Sequence, residues 1–164
     1  MAWFADLSPC TYFAEGWAHF LRSVGWLERG KPFATGPVDT EVFVRLVEMA
    51  RHPLQPMTFM GLHICDLCLY EEEAPIIQHA SVNNLFIPAD GIVFVCPELI
   101  AHYMNSHWYR PPDEFCRAVL SCPPMGSMDY LDALSANGGR SLVISHRINT
   151  SATPVARRWW QIWK

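Results

Sequence analysis

The chain has 164 residues, 51% of them hydrophobic and 17% charged, which fits one domain and excludes a disordered body. The formal net charge is −4, but the stretch from Arg140 onward carries +5, which leaves −9 for residues 1–139. An acidic body repels phosphate backbones, so nucleic acid is not an expected partner.

In chain order, Met1-Ala-Trp-Phe-Ala-Asp6 lacks a basic segment followed by an apolar run, and is not read as a signal peptide. No run of about 18 apolar residues follows, so no membrane span is expected. The expected setting is cytoplasmic, with the six cysteines reduced or metal-bound. The stretch from His19 to Leu27 fits a strand or a helix, and periodicity does not separate the two. Gly36-Pro37-Val38-Asp39 reads as a helix start. Val42, Phe43, Leu46, Val47 and Ala50 follow at helical spacing until Pro53 and Pro56. Met57 to Gly61 is expected to form a short strand leading into Cys65-Asp-Leu-Cys68.

Strands are expected at Asn84–Pro88 and Ile92–Val95, with Asp90-Gly91 supplying the positive φ angles of a hairpin turn. Pro97 fits the first position of a helix running to His107, which Arg110-Pro111-Pro112 stops. A second helix is expected at 113–121, with Phe115, Val119 and Leu120 apolar. A third begins at Ser127, whose hydroxyl can cap it, and ends near Asn137-Gly138-Gly139. Arg140–Ile148 is read as a strand and Asn149–Pro154 as a loop. The fold class expected is therefore α+β. It comprises a domain over 1–139 and a basic C-terminal segment, 140–164, that bears Trp159, Trp160 and Trp163.

The chemistry concentrates in two pairs. Cys65-x2-Cys68 turns two sulfurs toward one point, and zinc favours such ligands in a tetrahedral set. His102-x4-His107 lies on the helix after the hairpin. The order is that of a two-cysteine, two-histidine finger, stretched by a 33-residue spacer. Residues five apart on an ideal helix point about 140° away from each other, so the helix must distort near His107 for both rings to meet one ion. Four protein ligands leave no open position, so one structural Zn2+ is expected. His63 stands as a reserve. Cys10, Cys96, Cys116 and Cys122 read as packed thiols, Glu71-Glu72-Glu73 as a solvated loop, and no catalytic residue is assigned.

Asp6-Leu-Ser-Pro-Cys-Thr-Tyr12, Val24-Gly-Trp-Leu27, Gly61-x-His-x-Cys-x-x-Cys68, His102-Tyr103 to His107 and Tyr109-x-Pro-Pro-x-x-Phe115 together resemble an uncharacterised bacterial domain family of unknown function. The resemblance spans about residues 3–138. It implies a compact bacterial α+β domain, supports the Cys/His set as a unit, and brings no known reaction. The functional expectation is a zinc-stabilised, non-catalytic module whose partner is another protein. The alternative is an HNH-like nuclease, with His79 as base, Asn84 as positioner and His102 or His107 on the metal. Against it stand Gln78 before His79 and the acidic body.

Overall fold

The computed structural model describes residues 2–57, 62–68 and 80–151. A short 3-10 turn at Glu15–Trp17 leads into β1 (Leu21–Ser23), which resolves the ambiguity over 19–27 in favour of a strand. Helix α1 (Thr40–Arg51) starts where expected. The Asp39 carboxylate caps it by accepting the Glu41 N–H, and Val42, Leu46 and Met49 form its buried face. The expected strand at 57–61 falls mostly on residues outside the described ones. β2 (His63–Ile64) pairs antiparallel with β3 (Ala80–Ser81), and this small ribbon leads into the CxxC turn.

β4 (Asn84–Ala89) and β5 (Ile92–Pro97) form the expected hairpin, with Asn84 opposite Pro97 and Ala89 opposite Ile92. Among the turn residues only Gly91 has a positive φ, at 73°; Asp90 does not, so the turn needs the glycine alone in that region. Both strands are almost wholly buried, and their apolar runs Leu85-Phe86-Ile87 and Val93-Phe94-Val95 fill the centre of the core. β1 runs parallel to β5 on its other edge, giving the sheet order β1-β5-β4. Residues 7–10 lie antiparallel along β1 through Leu7 N–H to the Ser23 carbonyl and Cys10 N–H to the Leu21 carbonyl.

α2 (Ile100–Ser106) begins three residues later than Pro97 suggested, because Pro97 still belongs to the β5 ladder. α3 (Asp113–Ser121) has the expected bounds; Phe115, Ala118 and Val119 are buried and Leu120 is exposed. α4 (Met128–Leu134) is capped by Ser127, whose hydroxyl accepts the Tyr130 N–H.

The expected strand at 140–148 is corrected: Arg140–Ser151 is a helix, α5, entered through a wide turn at Ser135–Gly139. Val143 and Ile144 favour a strand locally, yet the inward positions are Gly139, Leu142 and Val143, which is helical spacing. Burial of Leu142 and Val143 in the common core outweighs the local preference. The loop expected at 149–154 is helical through Ser151 and otherwise lies outside the described residues.

Gly138 makes the reversal between α4 and α5 possible. Its φ is +92°, and a Cβ there would sit 2.8 Å from the Phe20 Cβ. Gly138→Ala is therefore expected to lower stability by about 2–3 kcal/mol, from a left-handed backbone and an overlap together. Gly16→Ala, where an added methyl meets nothing within 4 Å, should change stability little. Urea melts of the two variants beside the parent check this.

Candidate metal centre

The ladder ends at Pro97 and α2 rises from it, carrying His102 and Tyr103 toward the CxxC turn. Cys65 is fully buried at the end of β2, and Cys68, one turn on, is half-buried. Donor atoms of Cys65, Cys68, His102 and His107 all lie within 4.8 Å of one another. His107 Nε2 stands 3.4 Å from Cys65 Sγ, 3.2 Å from Cys68 Sγ and 3.3 Å from His102 Nε2. His102 Nε2 is 3.2 Å from Cys68 Sγ.

Hydrogen bonding alone cannot use all of these close approaches at once. An imidazole nitrogen carries at most one proton, while His107 Nε2 faces three neighbours whose outer electrons are lone pairs or thiol shells. A cation at the common point removes the conflict, so the set is able to hold a metal ion.

The angular problem of the five-residue spacing is solved at the helix end. α2 stops at Ser106, and His107 leaves the helix with φ −120° and ψ 11° while its N–H still donates to the Tyr103 carbonyl. Trp108 then takes the left-handed region, φ 55°. Its carbonyl accepts the Gly36 N–H at 3.0 Å, and Tyr109 N–H returns to the Tyr103 carbonyl at 3.2 Å. A non-glycine residue in that region costs about 1–2 kcal/mol, which these contacts hold in place.

Residues 2–120 match a family described as Domain of unknown function (DUF7919). The chain belongs to this family. No curated protein and no solved structure matches it. All four cluster residues of this DUF7919 chain fall within the matched stretch.

Other members of the resembling motif find structural roles. Asp6 accepts the Gly25 N–H at 2.9 Å and the Tyr109 hydroxyl at 2.9 Å, tying the N-terminal ribbon to the residue that follows Trp108. Burial pushes the Asp6 carboxyl above its usual range, against the opposing pull of those two donors. Trp26 donates from its ring N–H to the Val95 carbonyl at 3.1 Å.

His63 is not in the cluster. Its Nε2 lies 3.4 Å from the Tyr103 hydroxyl, its ring meets Trp26 edge-on, and burial pulls its pKa down. The remaining cysteines are packed as expected: Cys10, Cys96 and Cys122 are buried and Cys116 is half-buried. Burial raises all four thiol pKa values, Cys122 to about 11, which keeps them protonated and poorly nucleophilic. His79 and Glu71-Glu72-Glu73 lie outside the described residues, and Asn84 is buried at the start of β4. Both histidines of the set share one point with both sulfurs.

Sequence reading missed Ser106. Its hydroxyl lies 3.3 Å from His102 Nδ1, the nitrogen turned away from the cluster. By accepting that N–H it leaves the Nε2 lone pair aimed at the cluster and fixes the ring. The signal was available, since residue i+4 on a helix shares the face of residue i. Ser106→Ala should therefore weaken metal binding about 10-fold or more without unfolding the protein. Competition titration against a chromophoric chelator, beside a thermal melt, measures both quantities.

Proposed function

We propose that the chain is a zinc-stabilised, non-catalytic protein-interaction module, with one structural Zn2+ held by Cys65, Cys68, His102 and His107. The observation that carries this reading is the convergence of two sulfurs and two imidazole nitrogens within 4.8 Å. Bonds of about 2.3 Å to sulfur and about 2.0–2.1 Å to nitrogen, set tetrahedrally, require S···N edges of about 3.5 Å and an N···N edge of about 3.4 Å. Three of the four S···N separations, at 3.2–3.4 Å, and the N···N separation of 3.3 Å lie close to those values. Two thiolates beside two imidazoles favour zinc over calcium or magnesium, which take oxygen ligands. Four protein donors complete the tetrahedron and leave no position for a substrate, which supports a structural role.

The centre joins the CxxC turn to the end of α2. A bacterial, cytoplasmic setting fits, since both thiols must stay reduced to serve. No helix among the described residues is long and apolar enough to cross a membrane. An exposed Trp108 beside an apolar groove supports a protein as partner.

The purified protein should carry one zinc per chain, and X-ray absorption should report two sulfur and two nitrogen scatterers. Structural zinc contributes about 10–16 kcal/mol apparent in small fingers, so chelation or Cys65→Ser should lower the melting temperature sharply. Metal-free protein that melts like the loaded form would reject the structural role. Plasmid cleavage with added magnesium or manganese, lost in His79→Ala, would overturn the non-catalytic reading.

A further inference from the structure

The six cysteines differ in access and in what surrounds each sulfur. Cys10, Cys96 and Cys122 are buried, with no more than 2% of their surface exposed. Cys116 on α3 is half-buried, but its thiol donates to the Pro111 carbonyl at 3.8 Å and burial raises its pKa. It is therefore a protonated, weakly nucleophilic thiol. Cys65 and Cys68 stand apart from these four. Their sulfurs share one point with two imidazole nitrogens, all within 4.8 Å. A metal ion at such a point binds sulfur as thiolate, and the thiolate is the form that attacks electrophiles.

The two members of the pair are unequal. Cys65 is 0% exposed at the end of β2, whereas Cys68 is half-buried, just past the turn at Asp66-Leu67. A small oxidant arriving from solvent meets the Cys68 sulfur first. Cys116 has the access without the thiolate, and Cys65 has the thiolate without the access. Cys68 alone among the six combines them, and a second thiol stands beside it. An accessible thiolate next to a thiol able to resolve it is the arrangement that peroxides oxidise selectively. The gap between the two sulfurs is at most 4.8 Å. Rotation of the Cys68 side chain across the two-residue turn closes it to the bond length of about 2.05 Å.

We propose that Cys68 is the site at which a hydroperoxide oxidises this protein, and that Cys65 then joins it in a disulfide that dismantles the ligand set. The thiolate argument rests on the zinc reading above. In the first step the Cys68 thiolate attacks one oxygen of hydrogen peroxide. The S–O bond forms, the O–O bond breaks, and the departing hydroxide takes a proton from solvent. In the second, the Cys65 thiolate attacks the sulfur of the Cys68 sulfenic acid. The S–S bond forms, the S–O bond breaks, and a second hydroxide takes a proton. The two sulfurs lose two electrons, the peroxide gains them, and two waters leave. The disulfide offers no thiolate, so His102 and His107 alone remain as donors.

The test uses the full-length chain, with its zinc counted before any oxidant is added. That count checks the zinc reading by itself. In a metal-free chain the zinc reading fails, while the mapping below still decides which sulfur is oxidised. Hydrogen peroxide is added with and without dimedone, which traps sulfenic acids, and the cysteines are mapped by mass spectrometry. The expected result is a dimedone adduct on Cys68 and, without dimedone, a Cys65–Cys68 disulfide. One zinc should leave per disulfide formed, and dithiothreitol with added zinc should restore the loaded chain. Cys116→Ser, which lies outside the set, should release zinc at the parent's rate. An adduct that forms first on Cys65 or Cys116 overturns the proposal. So does a Cys68 that pairs with another cysteine or stays reduced. Zinc that remains bound after the disulfide has formed overturns it as well.

Discussion

β5 has a hydrogen-bonded neighbour on each edge, β1 in parallel and β4 antiparallel, and the positions of the other elements follow from that ladder. Its side chains are buried on both faces, so a shift of one residue would exchange every inward group. The register is held by the two-residue turn at Asp90-Gly91 and by Trp26, which spans from beyond β1 to the Val95 carbonyl. Asn137 adds a further tie by accepting the Gly91 N–H at 2.8 Å, which links the turn to the reversal between α4 and α5. α2 starts three residues after β5 ends, so the ladder also fixes where His102 stands.

The candidate metal centre gathers residues that are far apart in the chain. Cys65 and Cys68 precede the hairpin, and the histidines follow it. A stretched spacer is tolerated because the entropic cost of loop closure grows only slowly with length. The helix end does the remaining work. His107 leaves the helix, Trp108 reverses the backbone, and Tyr109 returns to Asp6. The strain at Trp108 and the half-buried Asp6–Tyr109 contact are thus parts of one device that turns two histidines, five residues apart, onto a single point.

The same turn builds the groove wall. Trp108 accepts from Gly36, and Arg110 N–H donates to the Ala34 carbonyl at 2.9 Å, so the segment before α1 and the end of α2 are held together edge to edge. Candidate metal ligands and groove residues alternate along 102–108. His107 and Trp108 leave the helix in one turn, so the candidate ligand and the groove wall share the same backbone support.

The local pattern alone determined α1, the β4–β5 hairpin, α3, the Ser127 cap and the membership of the Cys/His set. Each rests on short-range physics: a capping side chain, an apolar run around Asp-Gly, a proline pair, a CxxC turn. Tertiary structure decided what local preference left open or misjudged. Residues 140–148 carry β-branched side chains, yet they are helical because Leu142 and Val143 complete a core that no sequence window contains. Pro97 was drawn into the ladder by its pairing with Asn84, which delayed α2. The parallel pairing of β1 with β5 joins segments some seventy residues apart and has no local signature. The left-handed turn at Trp108 has none either. A bulky residue enters that region only when contacts from distant segments, here Gly36 and Asp6 with Tyr109, outweigh its steric cost, and those contacts exist only once the chain has folded.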